Sequence, residues 1–242
     1  PSAVALRSGG GQSATIGTSL AQPVVVRVTG ADGLAVQGVS VTFAATAGGG
    51  SFSPNPATTD VNGDASSTWT LGSAAGAQTA TASAVGVSSA TISATGTPAS
   101  ASRLGFTVQP AATTAGAAIA AVQVAAQDAF GNTYPFFTDS VTIALGSNPG
   151  GATLTGTKTV VAVGGVATFS GLSLDRSGSG YTLTASTATL SSGTSAGFTI
   201  SAGTATTLAL VSGDNQFAGP GAQLPLPVVV KVTDALGNGV SG

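Results

Sequence analysis

Few side chains in this sequence could do chemistry. All eight acidic residues are Asp, and Glu, His and Cys are absent. The densest polar group is Asp60, Asn62 and Asp64, whose oxygen-bearing side chains at alternate positions suit a hard cation such as calcium. Asn62 and Gly63 also form an Asn-Gly pair, a strong signal for a tight hairpin turn. The turn is the favoured interpretation, because the segment lacks the Glu and the length of an EF-hand loop. Calcium is therefore a weak candidate cofactor, and we expect no other.

The sequence offers few residues that could support nucleophilic catalysis. Ser and Thr are abundant, but a hydroxyl needs a neighbouring base, and only Asp or Lys could serve. Lys158 and Lys231 are both predicted to face solvent. A glycosidase-like site needs two carboxylates converging at a cleft, and the only pair close in sequence, Asp60 and Asp64, belongs to the predicted turn. We therefore expect no enzyme activity.

Composition excludes further classes of function. Lys and Arg number six, the net charge is -2 and only 6% of residues are charged. Nucleic-acid affinity depends on Lys and Arg that neutralise phosphates, so a nucleic acid is not an expected partner. No apolar run approaches the roughly 18 residues of a membrane helix, so no transmembrane segment is predicted.

Four of the twelve aromatic residues crowd one connection: Phe130, Tyr134, Phe136 and Phe137. An aromatic cluster exposed on a loop can stack on sugars or anchor a protein partner. Residues at the ends of domains in a repeat array more often contact the neighbouring domain. We favour the second interpretation and keep the first as the alternative.

The elements that must position these residues are predicted to be strands. Val24, Val26 and Val28 alternate with more polar or outward neighbours, which is the two-residue period of a half-buried strand. The same alternation recurs around Val41, Val141, Leu183 and Phe198, and 115–126 is also interpreted as a strand. Turn signals that combine Asp with Gly follow the equivalent strand three times, at Asp32, Asp128 and Asp234.

Three large aromatic residues fall on inward-facing positions of these strands. Trp69, Phe169 and Tyr181 are therefore expected in the core. The Tyr181 hydroxyl is placed to bond the backbone, as in a tyrosine corner.

The sequence repeats itself. Residues 1–38 and 205–242 align without a gap, with 18 of 38 positions identical, and 101–200 repeats the same plan more weakly. Many short strands with frequent turns predict an all-β protein of tandem immunoglobulin-like β-sandwiches. The predicted domains are 1–98 (type A), 99–202 (type B) and 203–242, a partial domain that starts a second type A.

Several segments carry a family resemblance. They include Pro23–Thr29, Gly38–Phe43, Thr59–Ala65 and, in the second repeat, Gln127–Asn132. These segments resemble the immunoglobulin-like domains of bacterial surface proteins of the invasin and intimin type. The resemblance implies a rod of tandem sandwiches on the bacterial surface or outside the cell, acting as an adhesin stalk or extracellular fibre. In that family binding usually resides in a specialised tip domain, which is not visible here.

Residues 203–242 are too few to close a sandwich, and Val228 and Val230 would leave an apolar face open. The favoured explanation is a longer array in which further strands follow. The alternative is completion by another copy, which would make a polymer joint by strand addition. The predicted function is a non-enzymatic extracellular or cell-surface spacer, with neighbouring immunoglobulin-like domains or further copies as partners. Carbohydrate or protein binding through the aromatic loop, and a viral fibre module, remain open.

Overall fold

The structure is a computed structural model that describes residues 1–241, and its regular elements in that range are 23 strands without a helix. The predicted all-β class is confirmed. The chain divides into two compact units. The first contains residues 1–100 together with 128–134, and the second contains 101–127 together with residues from 135 onward. The predicted three-domain division stays a prediction.

Nine strands, β1 to β9, build the first unit: Ala3–Ser8, Gln12–Thr15, Val24–Thr29, Ser40–Ala47, Gly50–Ser53, Ala57–Thr58, Asp64–Leu71, Gly76–Ser83 and Ala90–Thr97. They form two sheets, ordered β1-β3-β7-β5 and β2-β9-β8-β4-β6. All pairs are antiparallel except β2 with β9. The arrangement is an immunoglobulin-like sandwich.

The alternation of side chains explains how this sandwich closes. Val24, Val26 and Val28 of β3 are fully buried, whereas Val25 and Arg27 between them are partly exposed. The two sheets meet in one hydrophobic cluster, whose largest buried members are Phe43, Trp69, Leu71 and Ile92. Apolar burial of this kind is the main source of folded-state stability.

Twelve strands, β10 to β21, follow in the second unit: Arg103–Val108, Thr113–Thr114, Val122–Gln127, Ser140–Leu145, Leu154–Thr155, Thr159–Val161, Val166–Phe169, Ser173–Leu174, Gly178–Tyr181, Leu183–Ser186, Gly193–Thr194 and Phe198–Ser201. Their sheets are ordered β10-β12-β16, β11-β21-β18, β15-β13-β19-β20 and β14-β17. Two more strands, β22 (Thr207–Ser212) and β23 (Val229–Thr233), pair only with each other within the described residues.

The predicted core aromatics are confirmed, since Trp69, Phe169 and Tyr181 are at most 1% exposed. The Tyr181 hydroxyl donates to the carbonyl of Arg176 at 2.9 Å. Such a bond satisfies a polar group that burial would otherwise leave unpaired.

Two predictions of local structure are wrong. The strand expected over 115–126 begins only at Val122, because the residues before it form a turn around Gly116, whose φ is +79°. The Asn62-Gly63 pair forms a turn, but not a hairpin. The strands on its two sides pair elsewhere, β6 with β4 and β7 with β3.

Candidate functional site

The polar group at Asp60 is a main-chain turn. The Asp60 amide donates to the carbonyl of Asp64 at 3.0 Å, and Gly63, at φ +74°, donates to the carbonyl of Asp60 at 2.9 Å. Asp60 Oδ1 accepts from the amides of Asn62 at 2.8 Å and Asp64 at 3.0 Å. The Asp60 carboxylate therefore stabilises the turn, as Asp side chains commonly do.

The second carboxylate of the predicted calcium group, that of Asp64, is paired with two arginines. Arg27 donates from Nε to Asp64 Oδ1 at 2.8 Å and from Nη2 to Oδ2 at 3.0 Å, and Arg7 contacts Oδ2 from the neighbouring strand. A bidentate arginine uses the oxygens that a cation would need. Among residues 1–241, no three His, Cys, Asp or Glu side chains form a group that could hold a metal ion.

The structure divides the four loop aromatics between the two units. Phe130 and Tyr134 belong to the first unit, whereas Phe136 and Phe137 belong to the second. Phe130 and Phe136 are 61% and 77% exposed, but Phe137 is buried. Only part of the predicted cluster therefore presents aromatic surface to solvent.

The turn that begins at Asp128 is the best-connected polar feature of the first unit. Asp128 is fully buried, and its carboxylate accepts from the amides of Ala99, Phe130 and Asn132 at 2.9–3.2 Å. The Asn132 amide group also donates to this carboxylate. Burial alone would raise the pKa of Asp128, but these hydrogen bonds outweigh it and lower the pKa.

The turn that begins at Asp234 repeats this arrangement in the second unit. Its buried carboxylate accepts from the amides of Gly203, Leu236 and Asn238 at 2.8–2.9 Å and from the Asn238 side chain. Burial opposes ionisation here too. The bonds, led by those from the Asn238 side chain, lower the pKa of Asp234 to about 2.

Sequence reasoning identified the two aspartates as turn residues but missed their asparagine partners. Asn132 and Asn238 stand four residues after each Asp and extend their side chains to a separate loop of the same unit. The signal was present in the sequence. Asp and Asn recur together at the same place in two repeats, whereas the first repeat has Gly30 and Leu34 there.

The β22–β23 pair repeats the pairing of β1 with β3, but its apolar side chains are exposed. Leu6 faces Val26 in the first pair and Leu210 faces Val230 in the second, and each pair has an irregularity after the Leu. Val26 is fully buried, whereas Val230 is 51% exposed and Leu210 is 52% exposed. Exposed apolar patches of this kind mark interaction surfaces.

Comparison with solved structures finds similar β-rich proteins at low sequence identity. The D0-D1 domain of intimin is 18% identical over 82% of this chain and 97% of that one, with a TM-score of 0.31. The Escherichia coli adhesin FdeC is 16% identical over 99% and 75%, with a TM-score of 0.41. A β-glycosidase from Bacteroides vulgatus is 15% identical over 82% and 24%, with a TM-score of 0.36.

No protein-family model matches the sequence, and none of the curated proteins is significantly similar to it. At the identities and TM-scores of the solved structures, neither activity nor partner carries over to this chain. Its all-β immunoglobulin-like architecture is established by its own strands and sheets. Within residues 1–241 there is no helix long and apolar enough to cross a membrane.

Proposed function

We propose that this chain is a non-enzymatic spacer segment of an extracellular or surface-bound bacterial protein, built from repeated immunoglobulin-like sandwiches. The observation that carries the proposal is the recurrence of the first strand pair. The pairing of β1 with β3 recurs in β22 and β23 with the same register and the same irregularity. Recurrence of the same structural unit along the chain is the defining feature of repeat arrays.

The state of the carboxylates supports a non-catalytic role. Asp60 and Asp128 accept hydrogen bonds from their own turns, Asp64 is paired with Arg27 and Arg7, and Asp234 repeats the bonding of Asp128. For Asp128 and Asp234 these bonds lower the pKa, and a carboxylate so stabilised in its charged form is poorly suited to exchange protons near neutral pH.

We propose further that the apolar face of β22–β23 is covered by strands of another repeat. In the first sandwich the equivalent valines are covered by the sheet that contains β4, β8 and β9. Following strands of a longer chain are the favoured source, and a second copy of this chain is the alternative. Sedimentation over a concentration series separates them, since only the second source gives association that rises with concentration.

Cell-surface location is tested by labelling intact bacteria that make the protein. Lys158 and Lys231 are exposed, so a membrane-impermeant amine reagent should label both before lysis. Labelling that requires lysis would contradict the proposed location.

Binding through the aromatic loop is the second candidate function, favoured by the exposure of Phe130 and Phe136. Glycan arrays and immobilised host-surface proteins probed with the 242-residue chain test it. The spacer role predicts no retained binding. Binding that is lost in Phe130→Ala and Phe136→Ala would establish the second function. Leu34→Ala is the matched control, because Leu34 is a 67%-exposed residue of the equivalent loop in the first repeat.

A further inference from the structure

Three turns at equivalent places in the repeats have the same main-chain geometry. In the first repeat, the Gly30 amide donates to the carbonyl of Leu34 at 2.9 Å, and the Gly33 amide donates back to the carbonyl of Gly30 at 3.0 Å. The turns that begin at Asp128 and Asp234 have the same two bonds at 2.9–3.1 Å. In all three, the fourth residue is a glycine with a positive φ.

The main-chain bonds of the turn therefore form without an Asp at its first position or an Asn at its fifth. The first repeat has Gly30 and Leu34 at these positions and keeps both main-chain bonds. In the first repeat Asp32, the third residue, accepts from the Leu34 amide at 3.0 Å. The Asn side chains of the other two turns must serve a different purpose, because the main-chain bonds form without them.

Their bonds show what that purpose is. In the first unit, Asn132 Nδ2 donates to the carbonyl of Ser73 at 2.8 Å, and Asn132 Oδ1 accepts from the amide of Ala75 at 2.9 Å. In the second unit, Asn238 repeats the pattern: it donates to the carbonyl of Asp175 at 3.1 Å and accepts from the amide of Ser177 at 2.9 Å. Each asparagine thus fits one carbonyl and one amide that are two residues apart.

Each receiving loop is braced from the core by a buried polar side chain. Gln78 is fully buried, accepts from the amide of Gly72 at 3.0 Å and donates to the carbonyl of Ala74 at 2.7 Å. In the second unit, Tyr181 braces the receiving loop by donating a hydrogen bond to the carbonyl of Arg176. The two braces differ chemically but hold the loop that the asparagine binds.

We propose that the Asp and Asn of these turns form a polar latch, in which Asp orients Asn and Asn binds the main chain of a braced loop. The latch recognises a loop that presents a carbonyl and an amide two residues apart. The latch itself is a turn with Asp at its first position and Asn at its fifth, as in 128–132 and 234–238. A turn such as 30–34 lacks the latch. The inference does not depend on the proposed spacer function, since it concerns contacts within each unit.

Amide hydrogen exchange in the 242-residue chain tests the latch. We expect Asn132→Ala to speed exchange at the Ala75 amide by about tenfold, because that amide loses its bond to Asn132 Oδ1 and the loop also loses the bond from Asn132 Nδ2 to the Ser73 carbonyl. Exchange at Gly131, whose amide closes the turn itself, should not change. Leu34→Ala is the matched control and should leave the Ala75 amide unaffected.

The second latch gives an independent measurement. Asn238→Ala should speed exchange at Ser177 by a similar factor and leave Ala75 unchanged. Equal acceleration of Gly131 and Ala75 in Asn132→Ala, or no acceleration of Ala75, would show that Asn132 only forms its turn and would overturn the proposal. Loss of the fold in both asparagine variants would overturn it too, because a latch is not needed for the sandwiches to form.

Discussion

Replacing Val26 with Thr should destabilise the first sandwich, whereas the same replacement at Val230 should have little effect. The two residues occupy the same register position of equivalent strand pairs, β1–β3 and β22–β23. Val26 is fully buried and Val230 is 51% exposed. Thr has nearly the shape of Val, so the change mainly adds a hydroxyl to the site.

The magnitude follows from burial. A hydroxyl placed in a core without a hydrogen-bond partner costs about 1–3 kcal/mol in protein mutants. For a domain of about 100 residues, a loss of about 2 kcal/mol lowers Tm by about 8–16 °C. At Val230 the hydroxyl remains hydrated, and the change should stay within about 0.5 kcal/mol, as for other surface substitutions.

Trp69 makes the assay specific. It is the only Trp of the chain and is fully buried in the first sandwich, so its fluorescence during urea unfolding reports that sandwich. Val26→Thr should move this transition to lower urea concentration. Val25→Thr, a change of opposite parity in the same strand, is the control and should move it much less. A Val26→Thr transition that coincides with wild type would refute the buried register of β3.

Two further predictions concern the carboxylates. Because hydrogen bonds lower the folded pKa of Asp234 to about 2 from an ordinary 3.8, its charged form stabilises the fold above pH 3.8, and this contribution is lost as the pH falls through about 2. Calorimetry between pH 5 and 2 should show a fall in Tm that Asp234→Asn reduces, and an unreduced fall would contradict the assignment. Calcium or a chelator should leave Tm unchanged to within about 1 °C, because binding of an ion to the native state would raise it. A calcium-dependent rise that Asp60→Asn removes would establish the weak metal site instead.

The sequence predicted those features that depend on near neighbours in the chain. The burial of Val24, Val26 and Val28 follows from a two-residue period, and this period survives even where a strand breaks. Tyr181 and Leu183 are both buried although β18 ends at one and β19 begins at the other. Parity is a property of the local backbone, so it can be seen without knowing any strand's partner.

Features that depend on distant partners were not predictable in the same way. Asn62-Gly63 has the chemistry of a hairpin turn, but β6 before it pairs with β4 and β7 after it pairs with β3. Before Val122, Ala118 makes an isolated bridge to Ser173 instead of extending the strand, and the chain turns at Gly116. Pairing is decided by the whole sheet, and local propensity is only one contribution to it.

The latch shows how an internal repeat can separate local from long-range roles. Gly30 and Leu34 demonstrate that the main-chain bonds of the turn need neither Asp at its first position nor Asn at its fifth, so these two positions in the later repeats are free to make distant contacts. Without the first repeat, Asp128 would be explained fully as a turn residue, because it does bond its own turn. The turn in the first repeat shows which bonds local geometry does not require. These are the bonds by which Asn132, oriented by Asp128, holds Ser73 and Ala75. The buried carboxylate and the asparagine therefore act as one unit, and substituting either should release the same loop.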